Sequence, residues 1–220
     1  MTDMSYPLLL DLAAGVFLLT AIGVLWRRQL ASMIRLFGVQ GAALAGIVAI
    51  LGVHERHLEL IPVAAGLGLL RAGVLPYLAR RALGRAPAEA RETRPLVNVA
   101  ASLLAAAALT LLAYAVTRPL VALAPTPATA ILPAAVAVVL IGFFTLVTRR
   151  RALSQLVGFL LLDNGITATA FLATAGVPLI VELGVSFDLL LVVLVLQVLT
   201  TRLRTTFGST DLDELRELRD

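Results

Sequence analysis

A chain of 220 residues that is 60% hydrophobic, with a mean hydropathy of +0.96 and only 15% charged residues, has more apolar surface than a water-soluble core absorbs. It has no cysteine, which removes disulfides, iron–sulfur ligation and redox thiols from its own chemistry. Its net charge of +4 rests on arginine alone among basic residues, and these sit in short joints that offer no basic face to a nucleic acid.

A spanning helix needs about 20 apolar residues, and the charge-poor runs predict an all-α integral membrane protein of about seven transmembrane helices. They run from Tyr6 to Leu25, Leu30 to Val53, Ile61 to Leu78, Leu96 to Val116, Ala128 to Thr148, Ala152 to Ala175 and Leu179 to Leu203. Thr2, Asp3 and Ser5 give the first run no basic flank, so it reads as a retained helix, not a cleaved signal peptide. The fourth run, dominated by Ala and Leu, carries no charge and suits close helix packing in lipid. The segment from Thr210 to Leu218 reads as a short cytoplasmic helix capped by Ser209 or Thr210, with Leu212, Leu215 and Leu218 along one side; docking on a neighbour and plain solvation both fit it.

The arginines fall in alternate joints. Arg27 and Arg28 follow the first span, Arg80, Arg81, Arg85, Arg91 and Arg94 the third, Arg149, Arg150 and Arg151 the fifth, and Arg202, Arg204, Arg216 and Arg219 the seventh; the other joints hold only Arg56 and Arg118. The positive-inside rule then puts the N-terminus outside and the C-terminus in the cytoplasm. The segments WRRQLASMIRLFGVQG and TRRRALSQLVGFLLLDNG share an arginine run, a polar step and a mid-helix amide or acid. They suggest two parallel three-helix repeats, an arrangement that transport proteins use. The chain divides accordingly into an N-terminal unit (1–95), a linking helix with its outer loop (96–127) and a C-terminal unit with a cytoplasmic tail (128–220).

Three charges lie where a bilayer disfavours them: Arg71 in the third span, Asp163 in the sixth and Asp188 in the seventh. Each costs about 2.5–3.5 kcal/mol on insertion scales, so an ionisable residue at that depth marks a functional site by default. At about 1.5 Å per residue, all three lie about 13–16 Å from a span end, as does Gln40 in the second span, with Asn164 beside Asp163. Burial and a nearby guanidinium act in opposite directions on a carboxyl's hold on its proton. An aspartate between them can exchange a proton near neutral pH, while arginine stays charged. The competing reading is a structural ion pair of Arg71 with one Asp that fixes helix packing; permanent pairing would make the aspartate a poor carrier. Pro76, near Arg71, should free a carbonyl and kink the third span.

Asp11 and Arg35 lie close enough to span ends to serve at the interface. His54 and His57 have the spacing of a metal pair, but on a short outer joint they read as solvated loop histidines. Glu55, Glu59 and Glu182 are outer-joint acids that could collect protons.

The stretch RRRALSQLVGFLLLDNG, followed by VELGVSFDLLL and a tail ending STDLDELRELRD, resembles the NuoK-like small membrane subunits of respiratory complex I. More closely the chain resembles the HyfE family, the hydrogenase-4 membrane component E, through Asp163, Asn164, Gly165, Asp188, Gln40, Arg71 and Pro76. This resemblance implies a non-catalytic membrane-arm subunit of a complex I-related energy-converting hydrogenase or formate-hydrogenlyase-like complex, contributing to assembly and to a mid-membrane proton or ion path. It implies residence in a bacterial or archaeal cytoplasmic (inner) membrane. Its implied partners are antiporter-like and quinone-site-like membrane subunits, cytoplasmic hydrogenase subunits and lipids, with no cofactor or metal of its own. Asp163 and Asp188 correspond to the paired buried acids of complex I relatives, with Asp where those families commonly use Glu. The proton-relay set is then Asp163, Asp188 and Arg71, supported by Gln40 and Asn164 holding bridging waters. A subunit of a multi-subunit cation/proton antiporter and a structural membrane scaffold are the alternatives.

Overall fold

The computed structural model describes residues 5–84 and 96–174, and everything described is helical or joins helices. The seventh expected span, Asp188, Glu182, Arg85, Arg91, Arg94 and the C-terminal segment lie outside the described residues. Helix α1 (Ser5–Trp26) pairs with α2 (Leu30–His54). The third span is one continuous run composed of α3 (Leu60–Leu67), a π-helical segment π1 (Gly68–Val74) and α4 (Leu75–Gly84). Then follow α5 (Val99–Leu123), the single turn α6 (Pro127–Ala130), α7 (Leu132–Thr148) and α8 (Ala152–Thr174). Among the described residues six helices, counting α3 to α4 as one and α6 to α7 as one, are long and apolar enough to cross a membrane.

Local chemistry explains where the expected boundaries move. The fourth span was expected from Leu96, but Asn98 caps it, its side chain accepting a 2.7 Å bond from the Ala101 N–H, so α5 begins at Val99. That helix runs through Arg118 and Pro119 to Leu123 instead of stopping at Val116, because an apolar surrounding gives the backbone no alternative partner to its own ladder. The fifth span bends at Ile131. Thr126 and Thr129 close a capping box around α6, and Pro127 and Pro133 each occupy an opening turn where a missing N–H costs nothing. The third span outlasts its expected end at Leu78 and carries Arg80 and Arg81 on its last turns.

Packing sets two antiparallel hairpins side by side, α1 with α2 and α7 with α8, such that α1 lies against α7 and α2 against α8. Of the six spans α8 is the most buried and α5, which leans on α7 and α1, the least. Phe17, Phe37, Leu44, Ile141, Leu161 and Phe171 are buried in the apolar core. Exposed Leu8, Leu12, Leu19, Leu104, Leu111 and Phe143 give the outside the apolar character a lipid neighbour requires.

One end of the bundle is tied by arginine in a way that the arginine run did not reveal. Arg149 was expected as a loop charge; instead it is 2% exposed and its Nη2 donates to the carbonyls of Val24 and Leu25 at 3.2 Å each, satisfying the last turn of α1. Burial lowers its pKa from the ordinary arginine value, yet a guanidinium still stays charged. The main-chain N–H of Leu96 also bonds the Thr148 carbonyl at 3.0 Å, so the joints after α1, before α5 and after α7 share one end. Replacing Arg149 by Met is expected to cost about 1.5–3 kcal/mol, the worth of hydrogen bonds from a charged donor. Arg27→Met, at an exposed position, should stay within about 0.5 kcal/mol. Unfolding of the full chain by SDS titration in mixed micelles measures both.

Candidate functional site

The third span changes its hydrogen-bond pattern where its charge sits. Over Gly68–Val74 the ladder widens to π geometry, with the Leu75 N–H reaching back to the Leu70 carbonyl. The run GLGLLRAG is rich in glycine, which holds a regular α-helical winding least firmly. Pro76, lacking an N–H, cannot bond the Ala72 carbonyl that a regular turn would assign to it. That carbonyl faces α2, where a methyl group added at Gly38 would stand 3.5 Å from its oxygen. The kink expected at Pro76 thus takes the form of a widened turn, and such turns gather at functional sites.

Arg71 projects from this turn into the middle of the bundle and is 0% exposed. Its Nη1 lies 2.5 Å from Oδ2 of Asp163 and donates a 2.5 Å bond to Oδ1 of Asn164, both on α8. Its Nη2 donates to Oγ1 of Thr167 at 2.9 Å. The contact with Asp163 is a charge pair, and the contact with Asn164 is a hydrogen bond. From Asn164 the polar line continues, because its Nδ2 donates to Oε1 of Gln40 on α2 at 3.0 Å. Gln40 in turn donates from Nε2 to the Phe17 carbonyl of α1 at 3.2 Å, an oxygen that also accepts from Thr20. Four spans therefore meet at one buried polar layer.

Glycine makes the layer possible. A side chain at Gly41, next to Gln40, would put its Cβ 2.7 Å from the Arg71 carbonyl carbon and 2.8 Å from its oxygen. Only without that carbon does α2 approach the π turn closely enough for Gln40, Asn164 and Arg71 to line up. Counted from the arginine-bearing end at about 1.5 Å per residue, Phe17, Gln40, Asp163 and Asn164 lie about 13–18 Å deep, close to the middle of a hydrocarbon layer of about 30 Å.

Four of the five residues singled out from sequence thus converge: Arg71, Asp163, Gln40 and Asn164. Asp188 lies outside the described residues. The amides, expected to hold bridging waters, bond directly to each other, to Arg71 and to α1. Thr167 escaped sequence reading, although its place three and four residues after Asn164 and Asp163 puts it on their face. Asp11 and Arg35 are exposed, and so are Glu55, Glu59 and His57 in the outer joint. His54 stacks on the buried Tyr6 ring at 3.5 Å between centroids and 6° between planes, tying the ends of α1 and α2. Among the described residues no group of three or more His, Cys, Asp or Glu side chains is placed to hold a metal ion.

A buried guanidinium paired with a carboxylate, roofed by amides and a hydroxyl, can hold one proton-exchanging group against one fixed charge inside an apolar barrier. With six helices of spanning length around it, the chain is a multi-pass membrane protein. No family model and no solved structure matches the sequence. Hydrogenase-4 component E of Escherichia coli strain K12 is 24% identical over 216 residues, covering 98% of this chain and 100% of that protein, and its Shigella flexneri counterpart matches to the same extent. The uncharacterized protein Rv0085 of Mycobacterium tuberculosis is 53% identical over 220 residues, the full length of both chains. At that identity and coverage the chain belongs to the family of the mycobacterial protein, with hydrogenase-4 component E as a distant relative.

Proposed function

We propose that this protein is a non-catalytic membrane subunit of a hydrogenase-type complex, in which Asp163 exchanges protons at mid-membrane against the fixed charge of Arg71. The carrying observation is the Arg71–Asp163 pair buried among four spans, at a depth where a lone charge is costly. The full-length likeness to hydrogenase-4 component E supports the assignment to such a complex. In this reading Asp188, on the seventh expected span, is the next group along a lateral path, and the C-terminal unit corresponds to the NuoK-like subunits of complex I. The side-by-side hairpins α1–α2 and α7–α8 support two repeats built from 1–95 and 128–220, with 96–127 as the link.

Orientation follows from the arginine-rich end, which faces the cytoplasm of a bacterial or archaeal cell in this reading. Hydrogen chemistry belongs to cytoplasmic partner subunits, reached through antiporter-like and quinone-site-like membrane neighbours. The direct ion pair also favours a second reading, a purely structural lock between the third span and α8.

One experiment separates the two. Proton translocation by the assembled complex in vesicles, followed with a pH-sensitive dye, should fall at least about 10-fold in Asp163→Asn and in Asp188→Asn, the lower bound for losing a positioned proton-transfer group being higher still. Translocation at the wild-type rate in both variants, with the complex intact, would leave only the structural lock.

A further inference from the structure

The hydrogen bonds of the polar layer all run one way. Arg71 donates to Asn164, Asn164 donates to Gln40, and Gln40 donates to the Phe17 carbonyl. Both side-chain carbonyl oxygens consequently point toward the guanidinium, and both amide dipoles present their negative ends to it. A carboxamide neither takes up nor releases a proton under ordinary conditions, and here the bonding pattern cannot reverse, because a guanidinium has no acceptor and a main-chain carbonyl has no proton to give. The line is therefore an anchored strut, not a wire.

Asp163 meets the same Arg71 nitrogen, Nη1, that donates to Asn164. Its Oδ2 is enclosed against the guanidinium, while the side chain keeps 11% of its surface open, so the opening is not at that oxygen. Around it, α2 contributes the neutral Gln40, and α7 contributes apolar Val139 and Gly142, which press on Gly165 and Leu162. The charged group that the described residues place against Asp163 is Arg71.

We infer that Gln40 and Asn164 are positioning residues: anchored on the Phe17 carbonyl, they fix the Arg71 guanidinium against Asp163 and so set the pH at which this carboxyl exchanges its proton through its open edge. The inference rests on the reading of Asp163 as a proton-exchanging group, and it adds that Gln40, on the neighbouring helix α2, tunes that exchange through Asn164 and Arg71.

The test uses the full chain in lipid nanodiscs and an apolar carbodiimide, dicyclohexylcarbodiimide, which reacts with protonated carboxyl groups. Mass spectrometry follows labelling of Asp163 as a function of pH. The expected result is a wild-type profile with a single midpoint, which moves by about one pH unit or more in Gln40→Met. Thr145→Val, which removes a buried hydroxyl on α7 that bonds the Ile141 carbonyl outside the layer, should leave the midpoint in place. An Asp188→Asn background run in parallel removes coupling to that acid from the shift. Should Gln40→Met not insert, Gln40→Ser breaks the same bond while keeping a polar side chain at this position. A Gln40 profile that superimposes on wild type, an equal shift in Thr145→Val, or a wild-type Asp163 that takes no label would overturn the inference. Labelling reports on the isolated chain, so a failure of proton pumping to depend on Asp163 would sink the proposed function and leave this result standing.

Discussion

Replacing Arg71 by methionine destabilises the folded chain by about 3–5 kcal/mol, the range for removing one partner of a buried ion pair. The magnitude follows from what remains. Asp163 keeps its charge site among Leu, Gly and Val with no counter-charge on the third span, and Asn164 and Thr167 lose the donor that both oxygens accept. By comparison, an interhelical hydrogen bond between neutral groups in a membrane averages about 0.6 kcal/mol. The loss of the cation thus outweighs the loss of either neutral partner severalfold. SDS-titration unfolding of the full chain in mixed micelles measures it. The double variant Arg71→Met with Asp163→Leu should recover most of the loss, since replacing a buried pair by apolar side chains is often nearly neutral or stabilising. The non-additivity, at least as large as the loss recovered, gives the coupling between the two charges. A single-variant loss below about 1 kcal/mol would mean that the pair is hydrated and not buried. The double variant also discriminates function: a stable, inserted chain without translocation assigns the pair a transport role, and one with full translocation assigns it only to packing.

Depth was legible in the sequence because helical rise converts position directly into height, and height alone brought Arg71, Asp163, Gln40 and Asn164 to one plane. Azimuth was not. Nothing in the local pattern around Arg71 says which of the facing helices its guanidinium reaches, a contact made across 92 to 96 positions. The spans themselves carry little directional signal, since a helix apolar all round does not announce its buried face. Arg149 was misplaced for a related reason: its neighbours Arg150 and Arg151 make it one of a run, and only the open carbonyls at the end of α1 single it out. Turn chemistry decided the boundaries that shifted. Asn98 and Thr126 are recognisable caps, but a search for apolar length passes over polar residues at the membrane edge. The widened turn at Arg71 needed two facts together, the glycine content of GLGLLRAG and the missing donor at Pro76, and sequence reading used only the second.

The glycines between α7 and α8 lead to the other large expected effect. Gly142, Gly158 and Gly165 let the two backbones approach until an added Cβ at Gly158 would sit 2.6 Å from the Leu146 nitrogen, and one at Gly165 2.6 Å from the Val139 nitrogen. Real Cβ atoms do not tolerate such distances to backbone, which cannot rotate away as a side chain can. Gly158→Val and Gly165→Val must therefore push the helices apart, with an expected loss of about 1–3 kcal/mol, or more where several methyl groups meet a dense interface. Gly46→Ala on α2, with nothing within 4 Å of the added carbon, should be neutral or gain about 0.4–1 kcal/mol from a less flexible unfolded chain. The same unfolding titration in micelles ranks all three. Their functional consequences should diverge even where the stability losses agree. Gly165 adjoins Asn164, so displacing it drags Asp163, Asn164 and Thr167 off the Arg71 guanidinium, whose contacts of 2.5–2.9 Å leave no slack. Gly158 lies more than one turn away, where a shift of α8 is felt first at Leu146 and Thr145. Under the proposed function, translocation by the assembled complex should accordingly fall further in Gly165→Ala than in Gly158→Ala at matched stability, and equal losses would mean that α8 moves as a rigid rod.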